Sequence, residues 1–200
     1  MRTNALALTA ASAAAVLLAL PAPVRAASLP AQAATPATCK DGRSDARGRS
    51  SVDGTEIAWD DETRFDDARR TAHRLWSAGS LTRVKIRPDD ATTWADLVWR
   101  DADSTSGEWK NVYGRWAGRS GTDTIELNAA YLGEGRPLGR AEHRRRVAAH
   151  EMGHALGFCH KPLSYRSLMW SDYDDLAADR IDAPTPRDIG NYHALWGRSR

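Results

Sequence analysis

The chain has 200 residues, of which 42% are hydrophobic and 27% are charged, and its formal net charge is +2. This length suits one folded domain with a sizeable core. The near balance of 28 basic against 26 acidic residues argues against a nucleic-acid-binding protein, which concentrates basic residues on one face. Eight tryptophans and many aliphatic residues supply enough apolar surface to exclude an acidic disordered chain.

The amino terminus differs in composition from the rest of the chain. Among the first 37 residues 15 are alanine and none is acidic; Arg2 gives a positive start, and residues 5–20 form an apolar run. This order predicts a secretory signal peptide over residues 1–26, with cleavage after Ala26. Alternative cleavage sites follow Ala33 and Ala34. The apolar run is short for a membrane-spanning helix and is closed by prolines, so we expect no stable membrane insertion and a secreted, extracellular protein.

Residues 27–51 are rich in small and polar residues, then in Arg and Asp, with almost no large apolar side chain. Such a segment can add little to a core, so it predicts a flexible linker or a short pro-segment. From Val52 onward the pattern is that of a folded domain, which we place at residues 52–197. Removing residues 1–26 would delete two arginines and no acid, which leaves the basic and acidic residues balanced.

Hydrophobic periodicity and turn residues predict a mixture of strands and helices in this domain. The predicted strands are 55–59, 84–86, 95–99, 111–116 and 122–127, of which 111–116 is an edge strand. The predicted helices are 61–77, 140–156 and 186–196, with Asp61 as the N-cap of the first and a long loop between the last two. The fold class is therefore α+β.

The second predicted helix contains the sequence His-Glu-Met-Gly-His, in which His150 and His154 are four residues apart. At this spacing two imidazoles lie on one helical face and can bind one metal ion, while Glu151 can reach a metal-bound water without being a ligand. Gly157 can take the left-handed conformation that ends a helix, which would let His160 turn back as a third ligand. Three protein ligands leave a fourth position for water, which is typical of catalytic zinc.

The pattern carried by His150, Glu151, His154, Gly157 and His160 resembles that of the metzincin zinc endopeptidases, in particular the matrixins. Residues 167–170, Ser-Leu-Met-Trp, resemble their Met-turn, and residues 184–197 resemble the last helix of matrixin catalytic domains. The size and export signal also resemble those of snapalysin-type proteases, which carry Asp where this chain has His160.

The resemblance implies a metzincin-like catalytic domain with a twisted, mixed five-stranded sheet and one antiparallel edge strand. An active-site helix, a Met-turn and a C-terminal helix complete it. The resemblance further implies that Met169 forms an apolar floor beneath the zinc, and that the edge strand binds extended substrate. Trp170 and Tyr173 would lie near the pocket for the side chain that follows the cleaved bond, although either could equally be an ordinary surface aromatic.

The expected function is that of a secreted zinc endopeptidase with one catalytic zinc ion. A zinc-bound water would hydrolyse the peptide bond with Glu151 as general base. We expect a protein or peptide substrate, no nucleic-acid partner and a monomer. Two alternatives stay open: a catalytically inactive secreted binding module on the same scaffold, and a zinc amidase that acts on a non-protein peptide.

Cys39 and Cys159 are the two cysteines of the chain, and in an exported protein they predict a disulfide. The alternative is that Cys159, next to His160, contacts the zinc in an inactive form. Cys39 does not stand in a Pro-Arg-Cys-Gly sequence, so the cysteine-switch latency of matrixins is not expected.

Three other groups of polar residues have ordinary structural interpretations. No histidine stands between His73 and His143, so we expect no second, structural zinc; these two and His193 are expected to pack or to face solvent. The arginines at 144–146 are expected on a solvated helix face. An acidic loop is expected to be a solvated turn in preference to a structural calcium site, because its spacing does not match an EF-hand loop. This loop contains Asp101, Asp103, Ser104 and Gly107.

Overall fold

The computed structural model describes residues 38–90 and 94–198; the predicted signal peptide lies outside the described residues. The strands are β1 (Glu56–Asp61), β2 (Lys85–Pro88), β3 (Leu97–Ala102), β4 (Gly114–Ala117) and β5 (Asp123–Asn128). The helices are α1 (Asp66–Trp76), α2 (Ala129–Leu132), α3 (Ala141–Ala155), α4 (Tyr173–Ala178) and α5 (Pro186–Trp196). Within residues 38–90 and 94–198, no helix has the length and apolar character needed to span a bilayer.

The five strands form one mixed sheet in the order β2-β1-β3-β5-β4. β1 pairs in parallel with β2 and β3, and β3 pairs in parallel with β5. β4 lies antiparallel to β5, with Gly114 opposite Leu127 and Ala117 opposite Thr124, and it forms one edge of the sheet. The predicted α+β class, with a mixed five-stranded sheet and one antiparallel edge strand, is confirmed.

The hydrophobic core lies between the sheet and the two long helices α1 and α3, which pack against each other. α1 buries Ala68, Ala72 and Trp76 along one face, as its helical spacing predicts. The Trp76 indole N–H donates to the Ala149 carbonyl at 2.8 Å, and its ring stacks on Phe158. These contacts fix the depth of α3 under the sheet and therefore the position of the residues that follow on it.

The predicted start of the first helix, with Asp61 as N-cap, is wrong. β1 continues to Asp61 because its outer half pairs with β3, and α1 begins only at Asp66. Phe65 occupies the N-cap position without a side-chain cap bond. The Asp61 carboxylate forms an ion pair with Arg69 at 2.7 Å instead.

Two short helices occupy segments in which the sequence predicts no helix. α2 is capped by the Asn128 side chain, which accepts from Ala130 N at 3.2 Å, and α4 by Asp172, which accepts from Asp174 N at 2.8 Å. Each has at most six residues, too few for hydrophobic periodicity to show. The predicted uninterrupted loop between the last two long helices is therefore wrong at α4.

Residues 38–51, which we call the N-terminal strap, lie against the end of α3 and the residues that follow it. Backbone hydrogen bonds join Ser51 N to Ala155 O at 2.8 Å, Ala46 N to Gly157 O at 3.0 Å and Lys40 N to His160 O at 2.8 Å. Most of the strap side chains are exposed. The described part of the predicted linker is thus held by backbone pairing rather than by apolar burial.

The predicted disulfide between Cys39 and Cys159 is present, with 5.6 Å between the two Cα atoms. Beside it the Asp45 carboxylate accepts from Cys159 N at 3.0 Å and pairs with the Lys161 ammonium at 2.6 Å. The Asp45 side chain is 2% exposed and that of Lys161 is fully buried. A covalent bond and a buried ion pair therefore tie the strap to the segment after α3.

Replacing Asp45 by Ala should lower the free energy of unfolding by roughly 3–5 kcal/mol, because it removes the carboxylate of a buried ion pair. Urea unfolding followed by tryptophan fluorescence measures the change. Asp41→Ala is the matched control in the same strap, since Asp41 pairs with Arg43 in solvent and should contribute little. Equal stabilities of the two variants would contradict the role given to the buried pair.

Candidate functional site

The three predicted ligands come together at the carboxyl end of α3. Nε2 of His150 lies 3.2 Å from Nε2 of His154 and 3.2 Å from Nε2 of His160, and the last two are 3.1 Å apart. We call these three residues the histidine triad. His150 is buried, His154 half-buried and His160 exposed, so the triad opens to solvent on one side.

Gly157 makes this approach of His160 feasible. Its φ is +91°, and a Cβ on this residue would lie 2.6 Å from the Ala46 carbonyl oxygen of the strap. Both the left-handed backbone and the close contact require glycine. The chain therefore reverses at Gly157, as the sequence predicts, and the strap packs directly on the turn.

Two backbone carbonyls set the tautomers of the triad. Nδ1 of His150 lies 2.8 Å from Leu168 O, and Nδ1 of His154 lies 2.7 Å from Phe158 O. A carbonyl only accepts, so each Nδ1 carries the hydrogen and each Nε2 presents a lone pair. Burial lowers the pKa of His150 to about 4 and that of His154 to about 3, so both rings are neutral above those values. Neutral imidazoles with lone pairs that meet at one point need a cation between them.

The size of the triad fits zinc. Ideal tetrahedral nitrogen ligands at about 2.0–2.1 Å from zinc are about 3.3–3.4 Å apart, close to the observed 3.1–3.2 Å. Three nitrogen ligands and one open side are the donor set of a catalytic rather than a structural zinc site.

Glu151 lies beside the triad and against the edge strand. Its side chain is buried, and its Oε2 accepts from the backbone N–H of Trp116 on β4 at 2.8 Å. Burial raises the pKa of Glu151, while His154, the Trp116 N–H and Arg115 oppose the rise. A Cβ on Gly114 would lie 2.5 Å from Val147 and 3.0 Å from Glu151, so glycine lets β4 lie directly on this turn of α3.

Met169 lies under the same turn of α3. It is 1% exposed, and a Cβ on Gly153, between the two helix ligands, would lie 2.3 Å from its sulfur. The turn that carries Met169 is fixed by Asp188 at the start of α5. This buried carboxylate accepts from the Ser167 hydroxyl, from Leu168 N at 2.8 Å and from Thr185 N and Oγ1.

A cavity of about 580 Å³ opens between β4, the triad and residues 170–176. Trp170 and Tyr173 both line it; Trp170 is nearly buried and donates to Tyr165 O, and Tyr173 is half-buried. The rings of Tyr113 and Tyr173 meet edge to face at 5.3 Å. The cavity thus has aromatic walls next to Glu151.

The expectation that residues 144–146 form a solvated face is wrong for Arg146, which is 5% exposed. Arg146 stands four residues before His150, on the same face of α3. It donates to the Tyr173 hydroxyl at 3.0 Å and pairs with Asp182 at 2.5 Å, and His143 Nδ1 also contacts the Tyr173 hydroxyl. The signal in the sequence was the spacing from His150, which the run of three arginines concealed.

His73, His193 and the acidic loop make structural contacts. His73 lies between Trp59 and Trp99, with ring centroids 4.8 and 5.4 Å away, and burial lowers its pKa to about 3. His193 bonds the Ser80 hydroxyl at 2.9 Å. Asp101 accepts from Thr63 and Arg64. The carboxylate of Asp101 therefore contributes to the packing between β3 and the start of α1.

A family model described as Matrixin matches residues 51–197. This match spans most of the chain, so the protein belongs to the matrixin family, whose members are zinc metallopeptidases. The resemblance drawn from the eleven-residue motif and the Met-turn sequence is confirmed. No curated protein sequence matches the chain.

Replacing His160 by Ala should lower zinc affinity by more than about 100-fold, beyond the 10- to 100-fold loss typical of changing a hydrogen-bonding partner of a ligand. Competition with a fluorescent chelator measures the affinity. His193→Ala is the matched control, since His193 contacts Ser80 and not the triad. Unchanged affinity in His160→Ala would remove this residue from the ligand set.

Replacing Asp188 by Ala should lower the free energy of unfolding by about 3 kcal/mol, because two backbone N–H groups and two hydroxyls lose a buried acceptor. Chemical denaturation measures the change. Asp179→Ala is the control: Asp179 lies in the same half of the domain and is half exposed, so its removal should have little effect. Similar losses in both variants would argue against the anchoring role of Asp188.

Proposed function

We propose that this matrixin is a secreted endopeptidase that hydrolyses peptide bonds in protein or peptide substrates, with Glu151 as general base. One observation carries the proposal: three Nε2 atoms lie within 3.2 Å of one another beside a buried carboxylate and a free sheet edge. His150, His154 and His160 would hold one zinc ion. When bound, zinc lowers the pKa of water and polarises a carbonyl group.

Glu151 is suited to moving a proton. Burial raises the pKa of Glu151, which makes its carboxylate a better acceptor for the proton that water loses as its oxygen bonds to the scissile carbonyl carbon. The same carboxyl group can then give this proton to the leaving nitrogen as the C–N bond breaks. The Trp116 N–H fixes one carboxylate oxygen, so the orientation of the other is restricted.

The edge strand β4 offers backbone groups for an extended substrate. Trp116 N donates to Glu151 and therefore points away from β5. Backbone groups alternate in direction along an antiparallel strand, so the N–H and C=O of Gly114 and the C=O of Trp116 point to the same free edge. A substrate strand can pair with these groups, which would bring its scissile bond over the triad.

The cavity walled by Trp170 and Tyr173 would receive the substrate side chain that follows the cleaved bond. Its aromatic walls favour an apolar side chain. Because Arg146 and His143 bind the Tyr173 hydroxyl, the position of this ring is fixed by two residues that do not line the cavity.

Export by the predicted signal peptide belongs to the same proposal. A disulfide between Cys39 and Cys159 forms and persists in an oxidising compartment outside the cytosol. The pairing also leaves neither sulfur as a thiolate ligand for zinc.

Replacing Glu151 by Gln should retain one zinc per chain and lower the cleavage of a neutral peptide by at least about 100-fold, since the amide cannot accept the proton. Metal analysis and a fluorogenic peptide assay measure the two quantities. Glu134→Gln, in an exposed loop, is the control and should cleave normally.

Wild-type turnover of casein should stop with a chelator and return with zinc. Full activity in Glu151→Gln would remove this residue from the mechanism. Zinc binding without turnover of casein or of any peptide would point instead to a binding module, and turnover of cell-wall peptides alone would point to an amidase.

A further inference from the structure

A second cavity, of about 570 Å³, lies on the other side of the triad. It shares Trp116, His154 and His160 with the first cavity, so the two adjoin at the metal-binding nitrogens. Together they form one cleft along β4. One wall of the second cavity belongs to the N-terminal strap and is lined by Lys40, Asp41, Arg43 and Arg49.

The strap gives this end of the cleft a positive charge. Asp41 neutralises Arg43, but the Lys40 ammonium donates to the Ser171 hydroxyl at 2.9 Å and Arg49 to the Ser44 carbonyl. Among residues 38–90 and 94–198, no carboxylate forms an ion pair with Lys40 or Arg49. Both side chains are exposed, so two cationic groups are available to a substrate.

The first cavity has the opposite charge. Asp172 and Asp174 line it, both are exposed, and neither forms an ion pair within the described residues. Arg115 also lines this cavity, but Glu108 and Glu126 pair with it at 2.8 and 2.9 Å. The charges without an ion-pair partner that line the second cavity are therefore positive and those that line the first are negative, and the Lys40 ammonium lies at the boundary, beside Ser171.

The direction of β4 relates this polarity to the peptide chain. β4 begins at Gly114, which lines only the first cavity, and continues to Trp116, which lines both cavities. The strand therefore runs from the first cavity towards the second. A substrate strand that pairs antiparallel to β4, the slightly more stable arrangement, runs the other way. Its residues before the cleaved bond then lie in the basic cavity, and those after the bond lie in the acidic one.

We propose that the cleft selects peptides with Asp or Glu before the cleaved bond and with Lys or Arg beyond the apolar side chain that directly follows the bond. In this proposal Lys40 and Arg49 are the residues that recognise the acidic part. The proposal rests on the proposed peptidase function. It gives the polar strap a role in substrate recognition in addition to its role in holding the third ligand.

Two fluorogenic peptides of identical composition test the proposal, both with the same apolar residue directly after the cleaved bond. One has acidic residues before the bond and basic residues beyond the apolar residue, and the other has the two charged blocks exchanged. We expect kcat/KM to be about tenfold higher for the first at low ionic strength, since several exposed ion pairs contribute modestly each. The ratio should approach one as salt is raised, because salt screens exposed charges.

The double variant Lys40→Glu, Arg49→Glu should abolish or invert this ratio. Arg74→Glu is the matched control: Arg74 is exposed on α1 and lines neither cavity, so the same type of charge change there should preserve the ratio. The milder Arg49→Gln should lower the ratio partially, and it serves if the double variant does not fold. A preserved ratio in these strap variants would overturn the assignment to Lys40 and Arg49.

Binding gives a readout that is independent of turnover. Zinc-loaded Glu151→Gln should bind the first peptide more tightly than the second in fluorescence anisotropy, and equal binding would overturn the proposal. If the wild-type ratio of kcat/KM for the two peptides is near one or reversed while a neutral peptide is cleaved normally, the charge selectivity is overturned. The peptidase function then remains intact. Failure to cleave any peptide overturns the peptidase function and the selectivity with it.

Discussion

The convergence of three imidazole lone pairs within 3.2 Å is the constraint on which the rest of the domain depends. It requires α3 to end at Ala155 and the chain to reverse at Gly157, because the third nitrogen comes from beyond the helix. It also requires each ring to be held from behind, which the carbonyls of Leu168 and Phe158 do for His150 and His154. Four other parts of the domain pack against the residues that carry these rings: the sheet, α1, the turn at Met169 and the strap.

The sequence was sufficient to predict that His150, His154 and His160 come together beside Glu151, since the spacing on α3 and the turn at Gly157 encode this geometry. It was also sufficient for the fold class, the edge strand and the C-terminal helix. It could not predict Asp45, Asp188 or Arg146 as buried polar residues, because their partners are distant in sequence or concealed in a charged run. The short helices α2 and α4 depend on single capping side chains, and periodicity cannot detect one turn.

The strap shows how a polar segment becomes ordered without a hydrophobic core of its own. Its composition is that of a linker, yet three backbone hydrogen bonds, a disulfide and a buried ion pair hold it against the residues from Ala155 to Lys161. Each of these contacts joins one defined pair of residues, and together they leave most of the strap side chains exposed. A segment anchored in this way can present charges to a cleft at fixed positions, which a mobile linker cannot do.

Gly153 has a consequence for how the site is assembled. Glycine inside a helix costs about 1 kcal/mol relative to alanine, and here it stands between the two ligands of α3, where the sulfur of Met169 needs the space. The turn that carries the ligands is therefore intrinsically weak as a helix, and Met169 and Trp76, which both pack against Gly153, maintain it. We infer that the motif alone, as a peptide, would not hold its histidines in place. The ligand geometry is a property of the completed tertiary structure, so affinity for metal and cooperative folding are coupled in this domain.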